Sequence, residues 1–331
     1  MKFSNLKLLV KHISFLVMIY GGRAGFNLGR AVPCFSCPYV SGCGGNCYLM
    51  GFQGSIGFGM TLVQATGVGL LKALGWLTLF VLSVAFLGKA WCGWLCPMGL
   101  LQDWMTSIRR ELGIRETLLF PKTLRRLSYI KYGLLLCMAV IPLLVTAGAL
   151  HRDFYLPFCK ICPGKTLLPL FEGKTLYFNI NFDNDIRFWY SAALTSITGF
   201  MLAGMLLRER FFCVFCPMLA IIHILKPLTA LRLVKRPESC IGCGSCRRAC
   251  PMQIEVVYRE RVSSDVQADE CLGCAECVKA CPSDDALFLS FFRRRIFSAS
   301  RARAAGLGTS KTDESSGLEV SKMRTPWRRK S

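Results

Sequence analysis

Long apolar stretches alternate with short polar segments over the first two thirds of the chain. Gly67 to Gly88 contains one charged residue, Lys72, whereas Tyr132 to Leu150 and Phe188 to Leu207 contain none. Each stretch has about the 20 residues that a helix needs to cross the hydrocarbon core of a membrane. The pattern therefore predicts three membrane-spanning helices.

A fourth and more polar stretch runs from Leu6 to Phe26 and carries Lys7, Lys11 and Arg23. Long basic side chains near the ends of a span can extend to the membrane surface. Because no small-residue cleavage site follows this stretch, we interpret it as a retained helix and not as a removed signal peptide. The predicted membrane part is therefore an all-α bundle of four transmembrane helices.

Basic residues are concentrated in the segments that follow two of these spans, Gly67 to Gly88 (the second span in chain order) and Phe188 to Leu207 (the last). They are Lys89, Arg109, Arg110, Arg115, Lys122, Arg125 and Arg126 after the second span, and Arg208, Arg210, Lys226, Arg232, Lys235 and Arg236 after the last. By the positive-inside rule, both segments are cytoplasmic. We therefore predict a multi-pass protein of the bacterial cytoplasmic (inner) membrane, in contact with membrane lipid and with both termini in the cytoplasm. The formal charge of +21 follows the spans, which favours this interpretation over nucleic-acid binding.

A cysteine pair that ends in Cys-Pro follows each predicted helix, which indicates an internal two-helix repeat. The pairs are C34-F-S-C37-P, C92-G-W-L-C96-P, C159-K-I-C162-P and C213-V-F-C216-P. Chance placement in a chain with nineteen cysteines is the alternative, but the regular positions argue against it. Counting the spans between the pairs predicts that the first and third lie outside, and the second and fourth inside.

Two such pairs at one face would supply the four thiolates that one [4Fe–4S] cluster needs. The predicted ligands are Cys92, Cys96, Cys213 and Cys216 for an inner cluster, and Cys34, Cys37, Cys159 and Cys162 for an outer cluster. Cys43 and Cys47 have no counterpart in the second half, so they are either a disulfide or a substitute ligand pair. In a rival arrangement all four N-terminal cysteines bind one cluster, which leaves Cys159 and Cys162 to pair.

The most specific motif is a repeated C-x2-C-x2-C-x3-C-P, which is the pattern of bacterial two-cluster ferredoxins. In that pattern the fourth cysteine of each motif ligates the other cluster. The predicted ligands are Cys240, Cys243, Cys246 and Cys281 for cluster one, and Cys271, Cys274, Cys277 and Cys250 for cluster two. Zinc is the alternative for paired C-x2-C units, but two quartets of this spacing favour iron and sulfide. The segment between the motifs, Ile254 to Val262, is predicted as a strand pair with a turn.

These motifs resemble those of the NapH/NosR-type membrane iron–sulfur proteins. The stretch from Trp91 to Trp104, W-C-G-W-L-C-P-M-G-L-L-Q-D-W, is similar to the first motif of that family, and Cys213 to Pro217 stands where the second occurs. The resemblance covers roughly residues 1 to 290, with two departures. The second inner pair is C-x2-C where the family has C-x3-C, and the outer cysteines are not part of the usual motif.

The predicted organisation has four parts: membrane repeat 1 (residues 1–128), membrane repeat 2 (129–236), a double [4Fe–4S] ferredoxin domain of α+β type (237–290) and a disordered basic tail (291–331). The resemblance implies a role in carrying electrons between the quinone pool and a redox partner. The partner would be a quinone or a quinol-oxidising subunit on one side, and a redox enzyme or cytochrome on the other.

No side chain is poised for bond-making chemistry, so we predict a non-catalytic electron-transfer subunit of an oxidoreductase complex. A maturation or regulatory protein for a metalloenzyme is the alternative, with the outer cysteines acting as thiols or disulfides. Covalent haem is excluded because the sequence has no C-x-x-C-H. Lys89 and Trp91 are interpreted as interfacial anchors, with a quinone contact as the alternative.

Overall fold

The computed structural model of the chain describes residues 3–26, 37, 47–54, 67–117, 121–151, 154–174 and 185–300. Helices occupy all four stretches that the sequence predicts as spans. They are α1 (Phe3–Tyr20), α3 (Gly67–Leu87), α6 (Ile130–Thr146), which follows α5 (Pro121–Ser128), and α9 (Asp185–Leu207); a short helix α2 (48–54) precedes α3.

Two of the described helical stretches are long and apolar enough to cross a membrane, Thr123–Thr146 and Arg187–Leu207. Only 17% of each stretch is buried inside the protein, and large apolar side chains such as Leu136, Trp189 and Phe200 point outward. Soluble proteins rarely expose apolar surface of this extent. These faces are therefore suited to lipid.

The three Cys-Pro pairs whose prolines lie in the described residues have a common local structure, because each of these prolines begins a helix. The three helices concerned are α4 (Pro97–Glu111), α8 (Pro163–Leu167) and α11 (Pro217–Ile224). Proline at the first helical position has the required φ, and it restricts the residue before it to extended backbone. Cys96, Cys162 and Cys216 accordingly have ψ of 118°, 120° and 115°. Each Cys-Pro thus fixes the backbone of one candidate ligand at a helix entrance.

Another short helix precedes two of these prolines: α7 (Pro157–Ile161) before α8, and α10 (Phe211–Phe215) before α11. Both begin after a non-glycine residue in the left-handed region, Leu156 and Arg210, each with φ of 57°. This conformation costs an L-residue roughly 1–2 kcal/mol. The same strained turn therefore occurs before the cysteine pair in both halves.

Helices α2 and α7 pack against the middle of long helices and not at their outer ends. Thr198 of α9 donates a hydrogen bond to the backbone oxygen of Lys160 (3.4 Å), and the rings of Tyr48 and Phe80 stack with their centroids 3.5 Å apart. At 1.5 Å per residue, Thr198 lies roughly 15 Å from either end of its span. Short helices at this depth are tolerated because protein surrounds them. The segment that carries Cys159 thus lies beside the middle of α9, whereas the sequence predicts that this cysteine pair stands just after the end of a span.

The C-terminal domain contains an antiparallel sheet in the order β1-β2-β3, with β1 (Leu231–Lys235), β2 (Leu287–Phe291) and β3 (Arg294–Ser298). Three short helices accompany it: α12 (Ser245–Arg248), α13 (Val256–Arg259) and α14 (Glu276–Lys279). The predicted α+β domain is thus present. Its sheet takes strands from both sides of the 237–290 range, and β3 lies within the range predicted as a disordered tail. Residues 301–331 of that tail lie outside the described part.

The strand pair predicted between Ile254 and Val262 is wrong, because α13 occupies this segment. The amine of Lys235 donates to the backbone oxygens of Val257, Tyr258 and Glu260 at 2.7, 3.3 and 2.7 Å. Successive carbonyls point in one direction at the end of a helix, whereas they alternate along a strand. A buried amine that collects all three therefore stabilises the helical turn.

The C-terminal domain docks against the predicted cytoplasmic ends of the long helices. The backbone nitrogen of Ala230 donates to the oxygen of Ala85 at the end of α3 (2.7 Å). Tyr132 at the start of α6 donates to Asp269 (2.9 Å), and Lys7 of α1 pairs with Glu276 (2.6 Å). Three different helices thus hold the domain against the bundle.

Candidate iron–sulfur sites

Four cysteines from both halves of the chain meet at the inner site, which we define as Cys92, Cys96, Cys213 and Cys216. Cys92 lies in one π-helical turn, Trp91–Leu95, and Cys96 ends that turn. Charge interactions connect Cys92 with Cys96 and Cys213, and connect Cys216 with the other three. Single π-turns are frequent at functional sites. The predicted inner quartet is therefore brought together in space.

The chemistry of the inner site suits metal-bound thiolates. Burial raises the pKa of all four thiols, to about 12 for Cys96, and neighbouring cysteines raise those of Cys92 and Cys216 further. A free thiolate is unfavourable here, whereas a metal deprotonates a coordinating thiol outright. Cys92, Cys96, Cys213 and Cys216 are all free thiols, so no disulfide competes for these sulfur atoms. The four residues fit an iron–sulfur cluster.

One buried cation, Arg210, faces this site. Its guanidinium forms an ion pair with Asp103 (Nη2 to Oδ1, 2.6 Å) and its side chain is only 5% exposed. Charge interactions connect it with Cys213 and Cys96, and also with Cys274 of the C-terminal domain. Arg210 therefore lies between the inner site and cluster two, where its charge offsets that of bound thiolates.

An amide side chain holds one ligand of the inner site in place. Gln102 is 1% exposed; its Oε1 accepts from the backbone nitrogen of Phe212 (3.1 Å), and its Nε2 donates to the oxygen of Met98 (3.2 Å) and to Sγ of Cys213 (3.4 Å). Hydrogen bonds to sulfur are one determinant of cluster potential. Gln102 both orients Cys213 and contacts its sulfur.

Cys159 and Cys162 form a second group near the middle of the membrane part, which we name the Cys159 site. Cys162 interacts electrostatically with Cys159 and with Cys37, and Lys165 faces all three thiols. Of the cysteines predicted for the outer cluster, the structure thus brings three together. Cys34 lies outside the described residues, as does Cys43.

The C-terminal cysteines form the two quartets that the sequence predicts. Charge interactions group Cys281 with Cys240, Cys243 and Cys246, and group Cys277 with Cys250, Cys271 and Cys274. Cys277 also interacts with Cys246, so the two quartets are neighbours. The crossed arrangement, in which each fourth cysteine joins the other motif, is the arrangement found here.

A buried lysine accompanies each of these two quartets. Lys235, 1% exposed, faces Cys246 of cluster one. Lys89, also 1% exposed, donates to the backbone oxygens of Ala268 and Asp269 and faces Cys271. The interpretation of Lys89 as an interfacial anchor is therefore wrong, because its amine is directed into the C-terminal domain, where it fixes the loop of cluster two.

The loops of the inner site and of cluster two touch backbone to backbone at two glycines. A β-carbon on Gly93 would lie 2.7 Å from the oxygen of Leu272 and 2.8 Å from Cα of Cys274. A β-carbon on Gly273 would lie 2.8 Å from the nitrogen of Ala90. Neither position has room for a side chain, so glycine at both permits the closest approach of the two loops.

A cavity of about 620 Å³ opens where the start of the α5–α6 stretch meets the C-terminal domain. Its lining includes the apolar side chains Leu124, Tyr129, Met252 and Val256 together with the carboxylate of Glu270. Glu270 directly precedes Cys271 in the sequence. The cavity therefore adjoins cluster two at the predicted cytoplasmic edge of the membrane.

Within the described ranges, no three His, Cys, Asp or Glu side chains close around a point that could hold a single metal ion. A cubane cluster separates its four thiolates by its own iron and sulfide atoms, so it requires a wider arrangement than one ion.

Sequence reasoning missed the polar residues around the cysteines. No motif distinguishes these residues in the sequence, and the basic ones do not differ from the many other lysines and arginines. They are Gln102, Arg210, Lys235 and Lys165. One signal was present: glutamine six positions after a cysteine recurs as Gln53 and Gln102. The Cys-Pro pairs alone do not reveal this second recurrence.

Comparisons with known proteins agree with the motifs. A 4Fe-4S binding domain matches residues 68–115 and 192–235, and a 4Fe-4S dicluster domain matches residues 234–289. The chain is 30% identical over 181 residues to YccM of Escherichia coli, named as an electron transport protein; the match covers 54% of this chain and 46% of that protein. No solved structure matches the chain.

Two further relatives are ferredoxin-type proteins. The chain is 26% identical over 193 residues to the methylamine utilization ferredoxin-type protein MauN of Methylorubrum extorquens, which covers 58% of this chain and 56% of that one. It is 25% identical over 177 residues to the ferredoxin-type protein NapH of Haemophilus influenzae, covering 52% and 51%. The matched part spans about half the length of each of these relatives. These matches confirm the predicted resemblance to NapH-type proteins, and the chain contains 4Fe-4S domains of ferredoxin type.

Proposed function

We propose that this ferredoxin-type protein is a membrane-embedded electron-transfer subunit that conducts electrons through four [4Fe–4S] clusters. Two clusters lie in the C-terminal domain, one at the inner site and one at the Cys159 site. The observation that carries this proposal is the meeting of Cys92, Cys96, Cys213 and Cys216, two from each half of the chain, directly beside the loop of cluster two. No single half supplies that quartet.

The contacts support a continuous order of clusters. Cluster one adjoins cluster two through Cys246 and Cys277, and cluster two adjoins the inner site through the Gly93 contact. Between the inner site and the Cys159 site stands Met98: a β-carbon on Gly164 would lie 3.2 Å from Sδ of Met98 and 3.4 Å from Sγ of Cys162. An electron would thus move in short steps from the cytoplasmic domain to the middle of the membrane.

The four-helix, multi-pass topology with cytoplasmic termini and the location in the bacterial inner membrane are part of this proposal. A redox enzyme or cytochrome is the proposed partner, because the proposed clusters would need an acceptor or donor of electrons outside this chain. If this partner binds on the side of the membrane away from the ferredoxin domain, the electron path crosses the membrane. Covalent haem has no part in it.

Iron and acid-labile sulfide counts on the anaerobically purified protein test the proposal. Four clusters correspond to about sixteen irons per chain, and two clusters to about eight. A content of about sixteen, with reduced-cluster EPR signals that separate in a potentiometric titration, is the expected result. A content of about eight would refute both membrane clusters and leave an ordinary two-cluster ferredoxin on a membrane anchor.

A quinone is the proposed small-molecule partner, and the cavity beside cluster two is its proposed position. Leu124, Met252 and Val256 give the cavity apolar surface for a quinone ring, and charged residues, among them Glu270 and Arg125, line the rest of it at the predicted edge of the hydrocarbon region. A short-chain quinol should then reduce the clusters of the purified protein. Val256→Trp, which fills the cavity, should slow that reduction at unchanged iron content; an unchanged rate would place the quinone elsewhere.

A further inference from the structure

We propose that the Cys159 site is a second copy of the inner site, lying at the middle of the membrane, and that Cys47 is one of its ligands beside Cys159 and Cys162. This inference rests on the proposed function for the cluster type, [4Fe–4S]. It changes the ligand set from the one that the sequence predicts, in which Cys34 takes this part, and it moves the site from the outer face to the depth of Thr198.

The two halves share a register that the Cys-Pro pairs conceal. Cys47 begins C-Y-L-M-G-F-Q and Cys96 begins C-P-M-G-L-L-Q, so a glutamine stands six positions after each cysteine. Each cysteine directly precedes a helix, α2 in the first case and α4 in the second. Cys47 therefore occupies the position of Cys96, although no proline follows it.

The two glutamines make the same three contacts. Gln53 is fully buried; its Oε1 accepts from the backbone nitrogen of Phe158 (3.4 Å), and its Nε2 donates to the oxygen of Leu49 (3.0 Å) and to Sγ of Cys159 (3.8 Å). Gln102 makes the corresponding contacts with the residue before Cys213, with the carbonyl four positions back in its own helix and with Sγ of Cys213. Because Gln53 and Gln102 have equivalent partners at all three contacts, Sγ of Cys159 corresponds to Sγ of Cys213.

The backbone around the second cysteine pair is also repeated. The nitrogens of Cys159 and Cys213 donate to the oxygens of left-handed residues three positions earlier, both at 3.1 Å. The oxygens of Cys162 and Cys216 accept from the residue three positions later, both at 3.1 Å. Both cysteine pairs are thus held by the same left-handed residue and the same helix start. A pair that formed only a disulfide would not require this common backbone.

The fourth thiolate is Cys37, which the structure brings beside Cys162. Lys165 is only 8% exposed, and its charge acts on Cys37, Cys159 and Cys162. A cation in this position would stabilise thiolate ligands, because a nearby opposite charge favours the charged form of a group.

The test uses the full-length protein in detergent under anaerobic conditions and measures iron, acid-labile sulfide and the EPR signals of the reduced clusters. Cys47→Ser and Cys37→Ser should each lose about four of about sixteen irons and the same single EPR signal. Cys34→Ser and Cys43→Ser should retain both. Cys137→Ser is the matched control, because that thiol is exposed on α6 away from all sites.

Full iron and all signals in Cys47→Ser would overturn the proposal, and loss of the signal in Cys34→Ser would restore the earlier ligand set. Loss in Cys43→Ser with retention in Cys37→Ser would overturn the assignment of Cys37. If Cys47→Ser does not assemble, Gln53→Leu decides: it should keep all iron and lower the potential of only the signal that Cys159→Ser removes. About twelve irons in the wild-type protein, with the inner signal present, would refute this site while leaving the inner cluster of the proposed function intact.

Discussion

Gly93→Ala should separate the inner site from cluster two without removing either of them. The added β-carbon would lie 2.7 Å from the oxygen of Leu272 and 2.8 Å from Cα of Cys274. Carbon atoms in contact prefer about 3.5–4.0 Å, so the loops must move apart by about 1 Å. Overpacking of this kind costs typically about 1–3 kcal/mol. Because tunnelling and magnetic coupling both fall steeply with distance, electron transfer between the two clusters should slow severalfold.

The assay is EPR of the fully reduced protein, in which the coupling between the two clusters broadens their signals, together with an iron count. Gly273→Ala should act in the same direction but adds strain, because Gly273 has φ of 63°. Gly242→Ala is the matched control: it has φ of 70° in the equivalent loop of cluster one, yet its β-carbon would meet only the end of one arginine side chain, at 3.2 Å.

The control should share the strain of Gly273→Ala and leave the coupling unchanged. Full iron with unaltered coupling in Gly93→Ala would refute the reasoning, and so would an equal loss of coupling in Gly242→Ala. If Gly93→Ala fails to assemble, Trp94→Phe is the second variant, because it removes the hydrogen bond from Nε1 to the oxygen of Gly273 (3.3 Å). That milder change should weaken the coupling by a smaller amount.

Three further changes test the polar surroundings of the clusters. Gln102→Leu removes the donor to Sγ of Cys213 and should lower the potential of the inner cluster alone, measured by potentiometric EPR, since hydrogen bonds to sulfur stabilise the reduced state. Lys235→Met leaves three backbone carbonyls without their charged donor; at about 1.5–3 kcal/mol for such a bond, iron release from cluster one to a chelator should accelerate at least tenfold, whereas in Lys279→Met it should not. Arg210→Met leaves a carboxylate without its arginine partner and should destabilise the protein by about 3–5 kcal/mol, seen as a lower midpoint of thermal cluster loss, while retention of the wild-type midpoint would show that the charge is not needed.

The spacing of the cysteines was sufficient to predict which C-terminal cysteines come together, because the ferredoxin motif is local and places three of the four cysteines on one loop. The inner quartet was also predictable, since each of its pairs is a recognisable Cys-Pro unit and both halves have the same order. The position of Cys159 along the long helices was not predictable from the sequence. Hydropathy counts spans but is blind to a short helix that returns into the bundle, such as α7 beside Thr198, because the apolar residues of such a helix are too few to register as a span.

The alignment of the cysteines between the two halves was also predicted differently, because the prolines direct the comparison to the Cys-Pro pairs. The Cys-Pro pairs dominate the pattern because proline fixes the backbone of Cys96, Cys162 and Cys216 in one conformation. Cys47 has tyrosine after it, so a comparison by Cys-Pro aligns Cys37 with Cys96 instead. Only Gln53, through its contacts with Phe158 and Cys159, reveals the alternative alignment, and those contacts join segments 105 and 106 residues apart.

The positive charge of the chain therefore serves two separate purposes. Most bases lie on the predicted cytoplasmic flanks, where they set orientation by the positive-inside rule. Four are buried beside thiols: Lys235, Lys89, Arg210 and Lys165, none more than 8% exposed. In a medium of low dielectric constant an unpaired charge of either sign is costly, so each of these bases requires a nearby negative group and each cluster requires a nearby base. Arg210 already has a carboxylate partner in Asp103, and Lys89 acts on Cys92 of the inner site as well as on Cys271 of cluster two. These buried bases would therefore offset the charge of thiolate ligands at all four proposed sites, in addition to the contacts that they make within the protein.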